Sequence, residues 1–156
     1  MDEIKITFVC FGNICRSPMA EFLMKDFVKD EGKEDKFIID SAATNGCEEG
    51  SPVHRGTARI LERMGIDFSE KRARKLKASD YDKSDLFIGM DEGNIRDMKK
   101  IFGGDPDSKV KMLLDFTGEK REVADPWYTG DFEKTFTDVT RGIRGLYEYL
   151  KQTKRI

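Results

Sequence analysis

The sequence predicts an α/β fold: a single three-layer domain over residues 1–156, with a four-stranded parallel sheet and helices on both faces. Two observations carry this. Short β-branched and aromatic runs alternate with longer segments of helical period, the order that right-handed βαβ units require. A chain of 156 residues is also long enough to build one core without disulfide staples.

The first run, "IKITFV" at Ile4 to Val9, reads as a buried strand with Cys10 at its end and the turn signal Gly12-Asn13 directly after it. Ser17 and Pro18 read as the N-cap and first residue of a helix in which Met19, Phe22, Leu23 and Phe27 keep helical spacing up to Gly32. "FIID" at Phe37 to Asp40 is the second strand. Ser51-Pro52 opens the next helix, which carries Val53, Ile60, Leu61 and Met64 to a stop at Gly65. "SDLFIGM" at Ser84 to Met90 is the third strand, and Asp91 caps a helix running through Ile95, Met98 and Phe102 to Gly103-Gly104. "VKMLL" at Val110 to Leu114 is the fourth. The last helix begins near Asp131, with Phe132, Phe136, Val139, Ile143, Leu146, Tyr147 and Leu150 on one face. Gly142 and Gly145 each cost roughly 1 kcal/mol against alanine inside it, which points to close packing against the sheet.

Composition excludes several classes. Lys and Arg number 28 against 30 Asp and Glu, so neither a nucleic-acid footprint nor an acidic tail stands out. The short apolar start follows two acids, the wrong charge for a signal peptide, and no run reaches the length of a membrane span. Three cysteines without a secretory signal predict reduced thiols in the cytoplasm. His54 is the only histidine, against a Ser-His-Asp hydrolase or a histidine-rich metal site, and no CxxC pair suggests zinc.

The chemistry concentrates in "CFGNICRS", Cys10 to Ser17, between the first strand and its helix. Ligands of open α/β sheets bind beyond the carboxyl ends of the strands. The amides of Phe11, Gly12, Asn13, Ile14 and Cys15, wrapped over a helix N-terminus, converge on a phosphate-like dianion. Gly12 and Asn13 tolerate the left-handed backbone that such a wrap needs. Arg16 adds a planar fork for two anion oxygens. The same field favours thiolate over thiol at Cys10, which makes it a nucleophile toward phosphorus through a phosphocysteine intermediate. Ser17 donates a hydrogen bond to the sulfur as it leaves. The loop lacks Gly-Lys-Ser/Thr and a third glycine, so it is neither a Walker A motif nor a dinucleotide fingerprint.

These residues resemble the low-molecular-weight protein-tyrosine-phosphatase family, whose signature is a cysteine, five residues, then Arg-Ser near the N-terminus. "DSAAT" at Asp40 to Thr44, "MDEGN" at Met90 to Asn94 and "ADPWY" at Ala124 to Tyr128 match further motifs in family order, so the resemblance spans the whole chain. It implies a flavodoxin-like (Rossmann-like) arrangement, a phosphotyrosine-containing protein or peptide as substrate, no metal or organic cofactor, and a monomer or weak dimer. It implies Asp125 as the acid that protonates the leaving phenolate and then takes a proton from water, with Pro126 holding Asp125 extended. Trp127 and Tyr128 form a wall beside the substrate ring. Asn13 and Ser41 hold the loop's shape, Asp91 orients Arg16, and Cys15 traps oxidised Cys10 as a disulfide.

The chain departs from the family at two places. Lys71 stands where many members carry a loop-bracing histidine, and "NGCEEG", with Cys47 as a surface thiol, replaces a loop that often supplies the opposite aromatic wall. The basic residues from Lys71 to Lys77 read as a solvated face. Three other functions compete. An arsenate reductase would need thiols downstream of Cys47, and there are none. A protein-arginine phosphatase would carry threonine in place of Ile14 and less bulk after the acid. A non-catalytic phosphate-binding or redox-sensing module would have lost Cys10 or Asp125.

Overall fold

The computed structural model describes residues 3–153 and 155–156, so the outermost residues of the predicted domain at its N-terminus, and residue 154, lie outside the description. Four strands, β1 (Ile4–Cys10), β2 (Phe37–Ala43), β3 (Leu86–Gly89) and β4 (Val110–Met112), form one sheet in the order β2-β1-β3-β4. Every pairing is parallel, with Cys10 opposite Ala43 and Val9 opposite Gly89. The predicted four-stranded parallel sheet is therefore the observed one.

Alternation along β1 sorts the two faces. Ile6, Phe8 and Cys10 join the larger cluster, built with Met19, Leu23 and Met24 of α1 (Arg16–Asp30), Ile60 and Leu61 of α2 (Arg55–Arg63), and Val139, Ile143 and Leu146 of the last helix. Val9 points the other way and packs with Phe87, Leu76 and Met98, the last from α3 (Glu92–Phe102). Helices thus cover both faces. Because β2 and β3 lie on opposite sides of β1, the chain switches direction at the carboxyl end of β1, where a crevice opens.

Several boundaries differ from expectation. Helix α1 starts at Arg16, with Cys15 at its N-cap, so Ser17 lies inside the first turn rather than capping it; its hydroxyl is engaged elsewhere. Ser51-Pro52 does not open α2, because the Ser51 carbonyl accepts from Ala73 N and Pro52 bridges Arg72. His54 caps that helix instead, its Nδ1 accepting from Gly56 N at 3.0 Å. Strand β4 ends at Met112 and a tight 3-10 turn follows from Leu113 to Thr117. A one-turn helix α4 (Pro126–Thr129), absent from the periodicity, precedes α5 (Phe132–Gln152). Asp91 and Asp131 cap α3 and α5 as expected, accepting from Asn94 N and Lys134 N.

Gly142 and Gly145 pack on the 113–117 turn rather than on the sheet: a methyl at Gly142 would collide with the Leu113 side chain, and one at Gly145 with the Phe116 carbonyl. Alanine would gain roughly 1 kcal/mol of helix propensity. Overpacking against backbone that cannot rotate away costs more, so Gly145→Ala is expected to lower the unfolding free energy by about 2 kcal/mol in urea titrations. An unchanged or raised midpoint would show that the turn yields.

Candidate active site

Four carbonyls of the stretch from Cys10 to Cys15 are bonded from outside it. Thr44 N donates to Cys10 O and Asn45 N to Phe11 O, both at 3.0 Å, while His54 N donates to Ile14 O at 2.9 Å and Thr57 Oγ1 to Cys15 O at 3.0 Å. Carbonyls held this way turn their peptide planes so that amides can face the centre. Two of them reach the thiol: Asn13 N at 3.3 Å and Ser17 N at 3.4 Å from Cys10 Sγ. Asn13 sits at φ 58°, a left-handed conformation that a non-glycine residue holds only with local support.

That support is a chain of hydrogen bonds. Asn13 Nδ2 donates to Ser17 Oγ at 2.8 Å and to Ser41 Oγ at 2.9 Å, and Asn13 Oδ1 accepts from Arg74 N at 3.1 Å. Ser41 Oγ in turn donates to Glu21 Oε1 at 2.6 Å. Since Ser17 Oγ already accepts from Asn13, its own proton is free to point at Cys10 Sγ, 3.0 Å away. Every member of this chain from Cys10 to Glu21 is buried.

Lys71 closes the chain on the far side. Its Nζ donates to Ser41 O at 2.9 Å and lies 3.6 Å from Glu21 Oε1. Burial pulls its pKa below the usual lysine value, against the upward pull of Glu21. Lys71 therefore braces the loop's support, and the basic stretch is not simply a solvated face: Ala73 and Leu76 are buried, and Leu76 N donates to Ala43 O beside the site.

Arg16, only 2 % exposed, is fixed by three partners. Its Nη1 donates to Asp91 Oδ2 and to Val123 O, each at 2.8 Å, and Nη2 lies 3.4 Å from Asp125 Oδ2. Burial works against the charge, but Cys10, Asp125 and Asp91 outweigh it and hold the guanidinium above its ordinary pKa. With both Nη1 protons taken, the Nε–Nη2 edge is the fork left for an anion.

Asp125 comes from an irregular stretch, 119–125, whose position is set by charge. Arg121 donates twice to the buried Asp138 of α5, at 2.9 and 2.6 Å, and once to Glu119 at 2.7 Å. Val123 N donates to Met90 O at 2.9 Å. Asp125 is extended, at φ −80° and ψ 113°, as Pro126 predicts, and its Oδ1 accepts from Trp127 N at 3.1 Å.

A cavity of about 180 Å³ joins these groups. Cys10, Phe11, Gly12, Ile14, Cys15, Arg16, Asp125, Trp127 and Tyr128 line it, nine of the thirteen predicted site residues; Asn13, Ser17, Ser41 and Asp91 do not line it, and Ser17 and Asp91 bond to residues that do. Cys47 is exposed as expected, yet it and Glu48 also line the cavity on the side where an aromatic wall is missing. Trp127 rests edge-on against His54, which stacks on Phe132 at 5.1 Å; Tyr128 is 84 % exposed. Sequence reasoning missed Glu21, Glu48, the His54 support and the Val123 carbonyl. Only Glu21 had a local signal, four residues after Ser17 and therefore on the same helix face. Cys15 lies in the cavity wall with its thiol pushed up to about 12 by burial, Cys10 and Asp125, so at neutral pH it is protonated.

Comparison with known proteins finds relatives that share the whole length and the fold of this chain. A family model described as low molecular weight phosphotyrosine protein phosphatase matches residues 5–156. The low molecular weight protein-tyrosine-phosphatase YfkJ of Bacillus subtilis is 39% identical over 155 residues, covering 98% of this chain and 99% of the relative. The crystal structure of YfkJ superposes with a TM-score of 0.94 over 99% of this chain and 98% of its own, at 38% identity. The low molecular weight protein tyrosine phosphatase of Streptococcus pyogenes superposes at 0.83 and 38% identity, covering 96% and 92%. PtpA of Staphylococcus aureus strain MRSA252 is 35% identical over 94% of both chains.

Proposed function

Because the chain belongs to the low molecular weight phosphotyrosine protein phosphatase family, we propose that its cavity hydrolyses phosphotyrosine with the following division of labour. Cys10 thiolate attacks phosphorus, forming S–P as the P–O bond to the phenol breaks. The inward amides and the Nε–Nη2 edge of Arg16 hold the three phosphoryl oxygens and stabilise the charge that spreads over them. Asp125 gives its proton to the leaving phenolate oxygen. Water then enters where the phenol stood, Asp125 takes its proton, and the P–S bond breaks. Ser17 steadies the departing thiolate with the hydroxyl proton that Asn13 directs toward it.

The observation that carries this reading is the convergence on Cys10 Sγ of two amides and a directed hydroxyl, with Arg16 and Asp125 facing the same cavity. Asp91 and the Val123 carbonyl orient Arg16; Asn13, Ser41, Glu21 and Lys71 fix the loop. Trp127, Tyr128 and Phe11 flank the entrance, so a flat phenyl ring reaches the sulfur at the bottom where a phosphoserine stops short. The free cysteines, with Cys10 required as a thiolate, suit a reducing, cytoplasmic setting.

The expected result is turnover of p-nitrophenyl phosphate and phosphotyrosine peptides in the presence of a chelator, with phosphoserine and phosphoarginine peptides slower by at least about 10²-fold in kcat/KM. Preferential turnover of phosphoarginine would move the substrate to the alternative within the same chemistry.

A further inference from the structure

We propose that the groove beside the catalytic cavity is a subsite for acidic residues of the phosphotyrosine substrate, placed two or more positions from the phosphotyrosine. The proposal rests on the phosphatase reading and adds what kind of peptide that site takes.

The groove has a volume of about 640 Å³ and shares Ile14, Glu48 and Trp127 with the catalytic cavity, so the two adjoin. A protein substrate whose tyrosine enters the cavity has to carry its chain out over this rim. The floor is aromatic: His54 stacks on Phe132, and Trp127, 59 % exposed, meets the His54 edge. Above it stand Arg55 and Arg59, both exposed and both lining the groove. They are four residues apart on α2 and so project from one helix face. Among the described residues neither has a carboxylate within ion-pair distance, whereas Arg63, one turn on, is held by Glu133 at 2.8 Å. Two unengaged guanidinium forks beside an aromatic floor suit a peptide carboxylate whose backbone lies across the rings.

Glu48 adds the spacing. It stands at the neck between groove and cavity with its Oε1 accepting from Ser51 Oγ at 3.1 Å, and Asp125 faces it from the cavity. An acidic residue directly adjacent to the phosphotyrosine meets these two carboxylates. One placed farther along the chain clears the neck and meets the two arginines.

The test uses wild type and Arg55→Gln/Arg59→Gln with p-nitrophenyl phosphate and phosphotyrosine peptides. The peptides carry paired Asp residues, or Asn in their place, two and three positions before or after the phosphotyrosine. Wild type is expected to favour the Asp peptide on one side by about five-fold in kcat/KM, through KM, with the advantage shrinking at high salt. The double variant is expected to lose that advantage while keeping its turnover of p-nitrophenyl phosphate and of the Asn peptides. Equal rates for Asp and Asn peptides in wild type, or an advantage that persists in the double variant, overturn the proposal. Wild type inert on p-nitrophenyl phosphate and on every peptide would overturn the phosphatase reading and the proposal with it.

Discussion

Cys10→Ser is expected to abolish turnover of p-nitrophenyl phosphate and of phosphotyrosine, a loss of at least about 10⁴-fold in kcat, while leaving inorganic phosphate bound with near wild-type affinity. The reasoning separates two jobs of one loop. Binding belongs to the loop amides and to Arg16, which Thr44, Asn45, His54, Asp91 and Val123 hold from outside, in addition to the contacts that the Asn13 and Ser17 amides make with the sulfur. Attack belongs to the sulfur, and a serine hydroxyl in the same place is a far weaker nucleophile toward phosphorus. Steady-state assays and calorimetric titration with phosphate read the two separately. Activity retained in Cys10→Ser would remove the covalent intermediate, and binding lost with it would show that the cradle depends on the thiol.

This separation also explains how much of the site was legible in the sequence. Cys10, Gly12, Asn13 and Arg16 lie within seven residues on one strand-loop-helix unit, and their chemistry reads directly from residue type and order. What lies far along the chain does not. Asp91 is 75 positions from Arg16 and Asp125 is 109, and only the strand order β2-β1-β3-β4 brings the ends of β1 and β3 together. The resemblance supplied those two residues; periodicity alone would have placed Asp91 as a cap, which it also is.

The misplaced helix starts have the same origin. Ser17 has the residue type of an N-cap, but Asn13 and Cys10 occupy its hydroxyl, so the local preference yields to the site. Ser51-Pro52 has the signature of a helix opening, but Ser51 and Pro52 are engaged with the 71–76 segment, a partner invisible until the fold exists. Gly142 and Gly145 announced a close approach, and what approaches is a turn that the strand pattern had absorbed into β4.

Asp125→Ala is expected to slow the enzyme according to how badly its leaving group needs a proton. The tyrosine phenolate, with a conjugate acid near pKa 10, departs poorly unprotonated, so kcat/KM on phenyl phosphate and phosphotyrosine peptides, which reads the transfer to Cys10 and not the shared water step, should fall by about 10²- to 10³-fold. p-Nitrophenolate spreads its charge over the nitro group and should suffer much less. Asp125 stands where this job requires it: it faces Cys10 across the cavity, one oxygen committed to Trp127 N and the other 3.4 Å from Arg16, near enough to be guided but too long to be locked. Removing the carboxylate should also relieve its competition for Nη2, so phosphate affinity should be kept or raised as turnover falls. The informative measurement is therefore the ratio of the Asp125→Ala effect on kcat/KM for phenyl phosphate to that for p-nitrophenyl phosphate. A ratio near one, with both rates reduced alike, would make Asp125 a structural cap of α4 and leave the proton to another group; a ratio of ten or more, with phosphate binding preserved, identifies it as the acid.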